Sequence, residues 1–162
     1  MSESTGLLIS LLVRYPEVAT INYEPQKRVL KFTFIVKEAL SPLKVEALKE
    51  KLASCLGAFY FLTKKGRPLA SLGASTYDGL TFLEVKRDVT SLTEEEISLI
   101  IGLLRQEFGS SLITEQNDPL LEEELLGEED LIGHMLENVR ETKLEKRLIA
   151  FREEGRVLVF NK

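Results

Sequence analysis

One histidine and one cysteine are the only side chains in this sequence that could serve as an imidazole base or a thiol nucleophile. A catalytic triad needs a base that is held by an acid and that reaches a Ser or Cys nucleophile. His134 lies beside Gly133 and Met135 at the margin of a predicted helix stripe, whereas Cys55 occupies a core position of another predicted helix. A reactive thiolate also requires an accessible, electropositive environment. The sequence therefore predicts a protein that is not an enzyme.

Acidic side chains cluster in one segment, where they could attract hard cations: Glu122, Glu123, Glu124, Glu128, Glu129 and Asp130. The segment lacks the ligand spacing and turn glycine of a calcium loop. One His and one Cys cannot complete a conventional zinc site. No glycine-rich nucleotide loop is present either. We expect neither a metal nor a cofactor, and we interpret the acids as a solvated face that could attract a basic partner.

Lys64, Lys65 and Arg67 surround a glycine in one predicted loop, which is the candidate for contact with an anion or a nucleic acid. The neighbouring aromatic residues 59–61 are of the type that stacks on single-stranded bases, although Phe59 also belongs to a helix core stripe. A pI near 5.1 argues against a surface devoted to nucleic acid. Two interpretations stay open for the loop: an exposed basic turn, or a contact with an anion or with RNA.

Charge is distributed unevenly along the 162 residues, whose 21 basic and 26 acidic side chains give a net charge of −5. Residues 115–130 hold eight acids and no base, whereas residues 1–114 and 131–162 carry net charges of +1 and +2. We therefore predict a body over 1–114, an acidic connector over 115–130 and a C-terminal arm over 131–162. The length fits one domain of ordinary size with an appended arm.

The elements that would position these residues begin with a short helix and a hairpin. The helix is expected to have Ser4 or Thr5 as its N-cap and to end before Pro16. Residues 19–36 are rich in β-branched and aromatic side chains on both sides of a turn, which predicts two paired strands. Ser41 followed by proline then indicates the start of an amphipathic helix.

A second set of elements follows in the same order. Residues 66–79 are typical of a loop, with a short strand at most over 68–71 and a turn at its end. Residues 80–85 predict a strand. Thr90 or Ser91 is then expected to cap a helix whose first turn is acidic, as the helix dipole favours.

The two hairpin–helix units, residues 19–59 and 68–108, align at an offset of 49 that places Leu52 on Ile101. The alignment has two explanations, an internal duplication or the coincidence of two amphipathic helices that each follow a strand. Either explanation predicts an α+β fold: a mostly antiparallel sheet built from repeated hairpin–helix (ββα) units, with its helices on one face.

The arm is predicted to be a helix over residues 131–146 followed by a hairpin whose turn lies at residues 152–155. Its strands are apolar for a chain terminus, and an edge strand of this kind should not stay uncovered. We expect the arm to pack on the body of its own chain or on a partner subunit. The residues that we assign to such an assembly arm are Leu148, Phe151, Val157, Val159 and Phe160.

The first apolar run, residues 7–13, is far shorter than the ~20 apolar residues that a membrane span requires. The residues before it lack the basic charge of a signal peptide. A lone cysteine suits a reducing compartment. These observations predict a soluble protein of the cytoplasm with no membrane partner.

The order helix, hairpin, helix, hairpin, helix over residues 6–110 is similar to that of type III secretion chaperones, although no sequence motif supports the resemblance. Proteins of that class are α+β homodimers that hold an unfolded segment of a partner, and the resemblance implies the same kind of role here. From the sequence we expect a non-enzymatic protein-binding or self-assembling domain, chaperone-like or adaptor-like, that forms a homodimer. The alternative is a small-ligand or RNA-binding module that uses the sheet face or the Lys64–Arg67 loop.

Overall fold

The computed structural model of the chain describes residues 3–63, 70–115, 131–141 and 147–161. Its described portion confirms the predicted fold class, because a six-stranded antiparallel sheet is combined with four α-helices. The helices are α1 (Glu3–Arg14), α2 (Pro42–Thr63), α3 (Glu94–Phe108) and α4 (Leu131–Glu141). The strands are β1 (Thr20–Glu24), β2 (Val29–Val36), β3 (Ala70–Tyr77), β4 (Leu80–Asp88), β5 (Leu148–Glu153) and β6 (Arg156–Asn161).

The sheet has the strand order β3-β4-β2-β1-β5-β6, and each neighbouring pair is antiparallel. Two hairpins, β1–β2 and β3–β4, meet where β2 pairs with β4 along eight residues. A third hairpin, β5–β6, extends the sheet from β1. Strands β3 and β6 are therefore the two edges of the described sheet.

Alternating burial along the strands separates an inner face, covered by the four described helices, from an outer face that these helices leave open. In β2 the inward side chains are buried apolar groups, whereas Lys31 and Thr33 on the other face are partly exposed. Residues paired across an antiparallel sheet share a face. The inner face therefore continues from Phe32 to Ile21 on β1 and Val85 on β4, and all three are buried.

The C-terminal hairpin and α4 pack on the rest of the same chain. Ala150 and Leu148 of β5 are buried opposite the inner-face residues of β1. Arg152 donates a 3.1 Å hydrogen bond to the Val18 carbonyl and a second hydrogen bond to the Leu12 carbonyl at the end of α1. A guanidinium at the C-terminal end of a helix satisfies free carbonyls and opposes the negative end of the helix dipole.

The predicted start of α3 was wrong by two or three residues. Thr93 is the N-cap, and its hydroxyl accepts a 3.3 Å hydrogen bond from the Glu96 amide. Thr90 and Ser91 do not cap the helix, because both hydroxyls instead donate to the Asp88 carboxylate, at 2.7 and 2.6 Å. The start of α2 agrees with its prediction, since the Lys44 amide donates to the Ser41 hydroxyl at 3.2 Å.

Strand β3 is longer than the sequence suggested. We predicted a loop over residues 66–79 with at most a short strand at 68–71, whereas β3 runs for eight residues from Ala70 to Tyr77. Its Ser, Gly and Ala residues have low intrinsic strand propensity. Pairing with β4 along its whole length outweighs that propensity. Helix α1 also differs from prediction, because it begins at Glu3 and so includes both proposed caps, Ser4 and Thr5.

The two hairpin–helix units occur in the predicted order, as β1-β2-α2 and β3-β4-α3. Their turns differ in length, since four residues link β1 to β2 and two residues, Asp78 and Gly79, link β3 to β4. An internal duplication stays a prediction.

Candidate interaction surfaces

The two residues that were considered for nucleophilic catalysis lie on different helices of the described chain. His134 is exposed on α4, and Cys55 is a half-buried free thiol on α2. Within residues 3–63, 70–115, 131–141 and 147–161, no three His, Cys, Asp or Glu side chains are placed to hold a metal ion. None of the helices in these ranges is long and apolar enough to cross a membrane. Lys64, Lys65 and Arg67 lie outside the described residues, as do the acids of positions 116–130.

An ionic cluster lies at the end of β4, where sequence analysis had assigned no role. Arg87 and Glu96 are both fully buried, and the guanidinium donates to both carboxylate oxygens of Glu96, with the Nη2–Oε1 distance at 2.7 Å. The same guanidinium donates to Asp88 and lies 5.9 Å from the ring centre of Tyr60. Bidentate Arg–carboxylate pairs are among the strongest hydrogen-bonded pairs in proteins. The cluster therefore fixes the start of α3 to the sheet.

The protonation states of the ionic cluster follow from these contacts. Burial raises the pKa of Tyr60 well above its ordinary value of 10.0, more than the positive charge of Arg87 lowers it. Burial would lower the pKa of Arg87, but the hydrogen bonds and charge of Glu96 hold it above its ordinary value. Both groups keep their usual protonation at neutral pH, so neither Tyr60 nor Arg87 is poised to act as a base or a nucleophile.

We predict that Asp88 makes stability depend on pH at the acidic end. Burial raises its pKa, but hydrogen bonds from Ser91 and Thr90 and the charge of Arg87 outweigh that effect and lower it below 3.8. A carboxylate with a depressed folded-state pKa stabilises the fold above its unfolded pKa and loses that contribution as pH falls through the folded value. Asp88→Asn should therefore be less stable than the parent at pH 7 in urea unfolding. The difference should shrink below about pH 4; a difference that is the same at pH 7 and pH 3 would contradict this assignment.

The five residues of the predicted assembly arm divide between the two faces of the sheet. Leu148 is buried in the core, and Val157 and Val159 are half-buried against it on the inner face. Phe151 and Phe160 lie on the outer face, where their rings stack with centres 5.6 Å apart. Three of the five residues thus face the helices of their own chain, and only the two aromatic residues face away.

Phe151 and Phe160 belong to a larger group that we call the outer apolar patch, together with Ile149 and Leu158. The pairings Ile149–Phe160 and Phe151–Leu158 put all four side chains on one face of the C-terminal hairpin. Phe160 is 52% exposed, and the other three are partly exposed. Ile149 and Leu158 were not among the predicted arm residues, although their alternation with the inward residues of the same strands could have indicated them.

Strand β6 also presents backbone groups, because no described strand lies beyond it. Glu154 and Gly155 form a two-residue turn, with φ of 51° and 79°, in which the flanking residues Glu153 and Arg156 make a hydrogen-bonded pair. Hydrogen-bonded and non-hydrogen-bonded pairs alternate along an antiparallel ladder. The N–H and C=O groups of Val157 and Val159 therefore point away from β5, toward the open edge.

Helix α2 carries a second exposed apolar surface. Leu43, Phe61 and Leu62 are 83%, 84% and 78% exposed. A groove of about 360 Å³ runs between α2 and the edge strand β3, and it is lined by Lys49, Leu52, Ala53, Leu56, Ser71 and Leu72. A small apolar ligand could enter the described chain at this groove. The alternative function, a small-ligand or RNA-binding module that uses the sheet face or the Lys64–Arg67 loop, stays a prediction.

Comparison with known proteins adds no assignment. No family model matches the chain, and no significant match is found among curated proteins or among solved structures.

Proposed function

We propose that this protein is a non-enzymatic protein-binding module whose binding surface is the C-terminal hairpin. The observation that carries the proposal is the coincidence, on one strand, of an open hydrogen-bonding edge and an outward apolar patch. Strand β6 offers outward backbone groups at Val157 and Val159, and its Leu158 and Phe160 side chains lie on the outer face. Soluble proteins usually protect such an edge with charge, proline or a bulge. Here the edge suits the addition of a strand from another chain.

The opposite edge of the sheet is a poorer candidate. Strand β3 presents Ser71, Gly73 and Ser75 on the outer face, all small and exposed, and its large outward side chain, Tyr77, lies at the turn end of the strand. A strand added there would meet few apolar side chains, and cross-strand side-chain pairs supply much of the stability of a sheet. Specific recognition is therefore better supported at β6 than at β3.

A catalytic role has no support from the described side chains. The buried Arg87 and Glu96 are paired with each other, and His134 and Cys55 lie on different helices. We place the protein in the cytoplasm, where its lone thiol would stay reduced. A chaperone-like or adaptor-like role would follow from the same edge, which could hold an extended segment of a partner.

Site-specific photocrosslinking tests this proposal. A benzophenone amino acid replaces Phe160, and the matched control carries it at Tyr77, which is 76% exposed at the other end of the sheet. After irradiation of producing cells and of purified protein, we expect a covalent protein adduct at position 160 and none at position 77. Absence of an adduct at 160, or equal yields at both positions, would contradict protein binding at the hairpin.

A further inference from the structure

We propose that the strand added to β6 is β6 of a second copy of this chain, so that two sheets join into one of twelve strands around a two-fold axis. The inference rests on the proposed function and specifies its partner. It follows from three properties of β6. Some of its backbone N–H and C=O groups point away from β5, and its outer-face side chains match those of a second β6 strand. In one register of the two strands, no like charges lie opposite each other.

The backbone groups limit the registers in which two copies can pair. In an antiparallel ladder, residues that exchange hydrogen bonds lie directly opposite each other. Both members of such a pair must then come from the outward-pointing positions, Val157, Val159 and Asn161. Pairing Val157 with Val159 of the second copy, and the reverse, satisfies all four residues with roughly four hydrogen bonds. This register places the two-fold axis at Leu158.

The side chains on the outer face favour the same register. Leu158 would lie opposite Leu158 of the second copy, and Arg156 opposite Phe160 at both ends. Contacts between apolar side chains and between a guanidinium and an aromatic ring are both favourable across paired strands. The outer apolar patches of the two copies would then be continuous, with Leu158 at their centre.

Registers shifted by two residues leave one end of the strand without a partner. A shift in one direction brings Phe160 opposite the turn residue Glu154, where no strand continues. A shift in the other direction brings Leu158 opposite Phe160 and leaves Arg156 without a partner on β6, which ends at Asn161. Shifts by one residue place outward groups opposite inward ones, so the backbone bonds cannot form. Of these registers, the one centred on Leu158 pairs both Arg156 and Phe160 with residues of β6.

An isologous contact of this kind closes on itself and gives a dimer. The pairing also explains why so apolar an edge could be kept without a proline or a bulge, because the second copy would cover it. The inner-face residues Val157 and Val159 would stay packed on the core of their own chain. The dimer therefore requires no rearrangement of the described fold.

Light scattering measures whether the purified chain of 162 residues is a dimer. The parent should have twice the monomer mass of 18.3 kDa at micromolar concentration. Leu158→Lys would bring two ammonium groups together across the axis and should raise the dissociation constant at least about 100-fold. Phe160→Lys, at a more exposed position, should weaken the dimer without affecting the fold. Tyr77→Lys, the matched control at the opposite edge, should leave the dimer mass unchanged.

The register is tested with cysteines in a Cys55→Ser chain. Leu158→Cys should oxidise readily to a disulfide-linked dimer, because directly opposed residues that do not exchange hydrogen bonds have Cα atoms about 4.5 Å apart. Phe160→Cys should not, since its counterpart would be Arg156. A parent of 18.3 kDa at about 100 µM, or folded Leu158→Lys and Phe160→Lys variants that stay dimeric, would overturn the self-pairing. A monomer that still crosslinks another protein through position 160 would overturn this inference alone and leave the proposed function standing.

Discussion

Removing residues 116–162 is expected to abolish the cooperative fold of the remaining chain. The C-terminal elements cover apolar surface that is otherwise part of one core. Helix α1 contacts α4, β5 and β6, and β1 pairs with β5. Without the arm, the inner-face residues Ile21 and Tyr23, now 0% and 1% exposed, would border open solvent.

The size of the effect follows from the side chains that the arm buries. Four large aliphatic groups of the arm are at most 5% exposed: Ile132, Leu136, Val139 and Leu148. Burial of such a side chain contributes about 1.5–3 kcal/mol, so together they contribute about 6–12 kcal/mol. Domains of this kind have a total stability of about 5–15 kcal/mol. The loss is therefore comparable with the whole stability of the fold.

Urea unfolding followed by circular dichroism measures this prediction on residues 1–115 and on the full chain. We expect a broad, non-cooperative transition for the truncated chain and a sharp one for the parent. Residues 131–162 added as a separate fragment should restore part of the cooperative transition, which would show that the missing contacts cause the loss. A truncated chain that unfolds as sharply as the parent, at a similar urea concentration, would show that the predicted body is an independent unit.

Arg87→Met is expected to be the most destabilising single substitution in the described chain. It would leave the carboxylate of Glu96 fully buried without its bidentate partner. Breaking a buried ion pair by removing one member costs about 3–5 kcal/mol, because the remaining charge stays desolvated. Glu96→Gln should also destabilise, since it removes the charge that compensates the buried guanidinium.

The double variant Arg87→Met/Glu96→Met separates loss of the pair from loss of packing. Replacement of both charges by apolar groups of similar size can be nearly neutral. We therefore expect the double variant to be more stable than Arg87→Met alone, a non-additive result typical of contacting residues. Lys31→Met is the matched control, because the Lys31–Glu84 pair, 2.8 Å apart, is partly exposed. Its cost should be below about 1 kcal/mol; an equal cost for Arg87→Met and Lys31→Met would contradict the role of the cluster.

The sequence predicted those parts of the fold in which a local pattern and the tertiary structure agree. The alternation of Phe32 and Phe34 indicated β2, and Ser41 indicated the start of α2. Strand β3 escaped prediction because its small residues carry no strand signal and depend on β4 for their conformation. The cap of α3 was misplaced because Thr90 and Ser91, both good caps in principle, bond to Asp88 instead.

The candidate binding surface was predicted only in part. Apolar strands near the C-terminus indicated an assembly arm, but the sequence could not show which of its residues the chain would use for its own core. That division depends on the pairing of β5 with β1, a contact between positions more than 120 residues apart. The buried Arg87 shows the same limit of prediction from sequence. A charged side chain on the inner face of β4 is explained by its pairing with Glu96 of α3, which local sequence does not reveal.

Hydrogen exchange at single amides of β6 tests the central claim most directly. In an open edge strand only the amides directed toward β5, those of Leu158 and Phe160, would be protected, and those of Val157 and Val159 would exchange rapidly. If β6 pairs with a second copy, all four amides should exchange slowly in the purified protein at micromolar concentration. Leu158→Lys should then restore rapid exchange at Val157 and Val159 while protection in β2 persists. Rapid exchange at Val157 and Val159 in the parent protein would contradict the account.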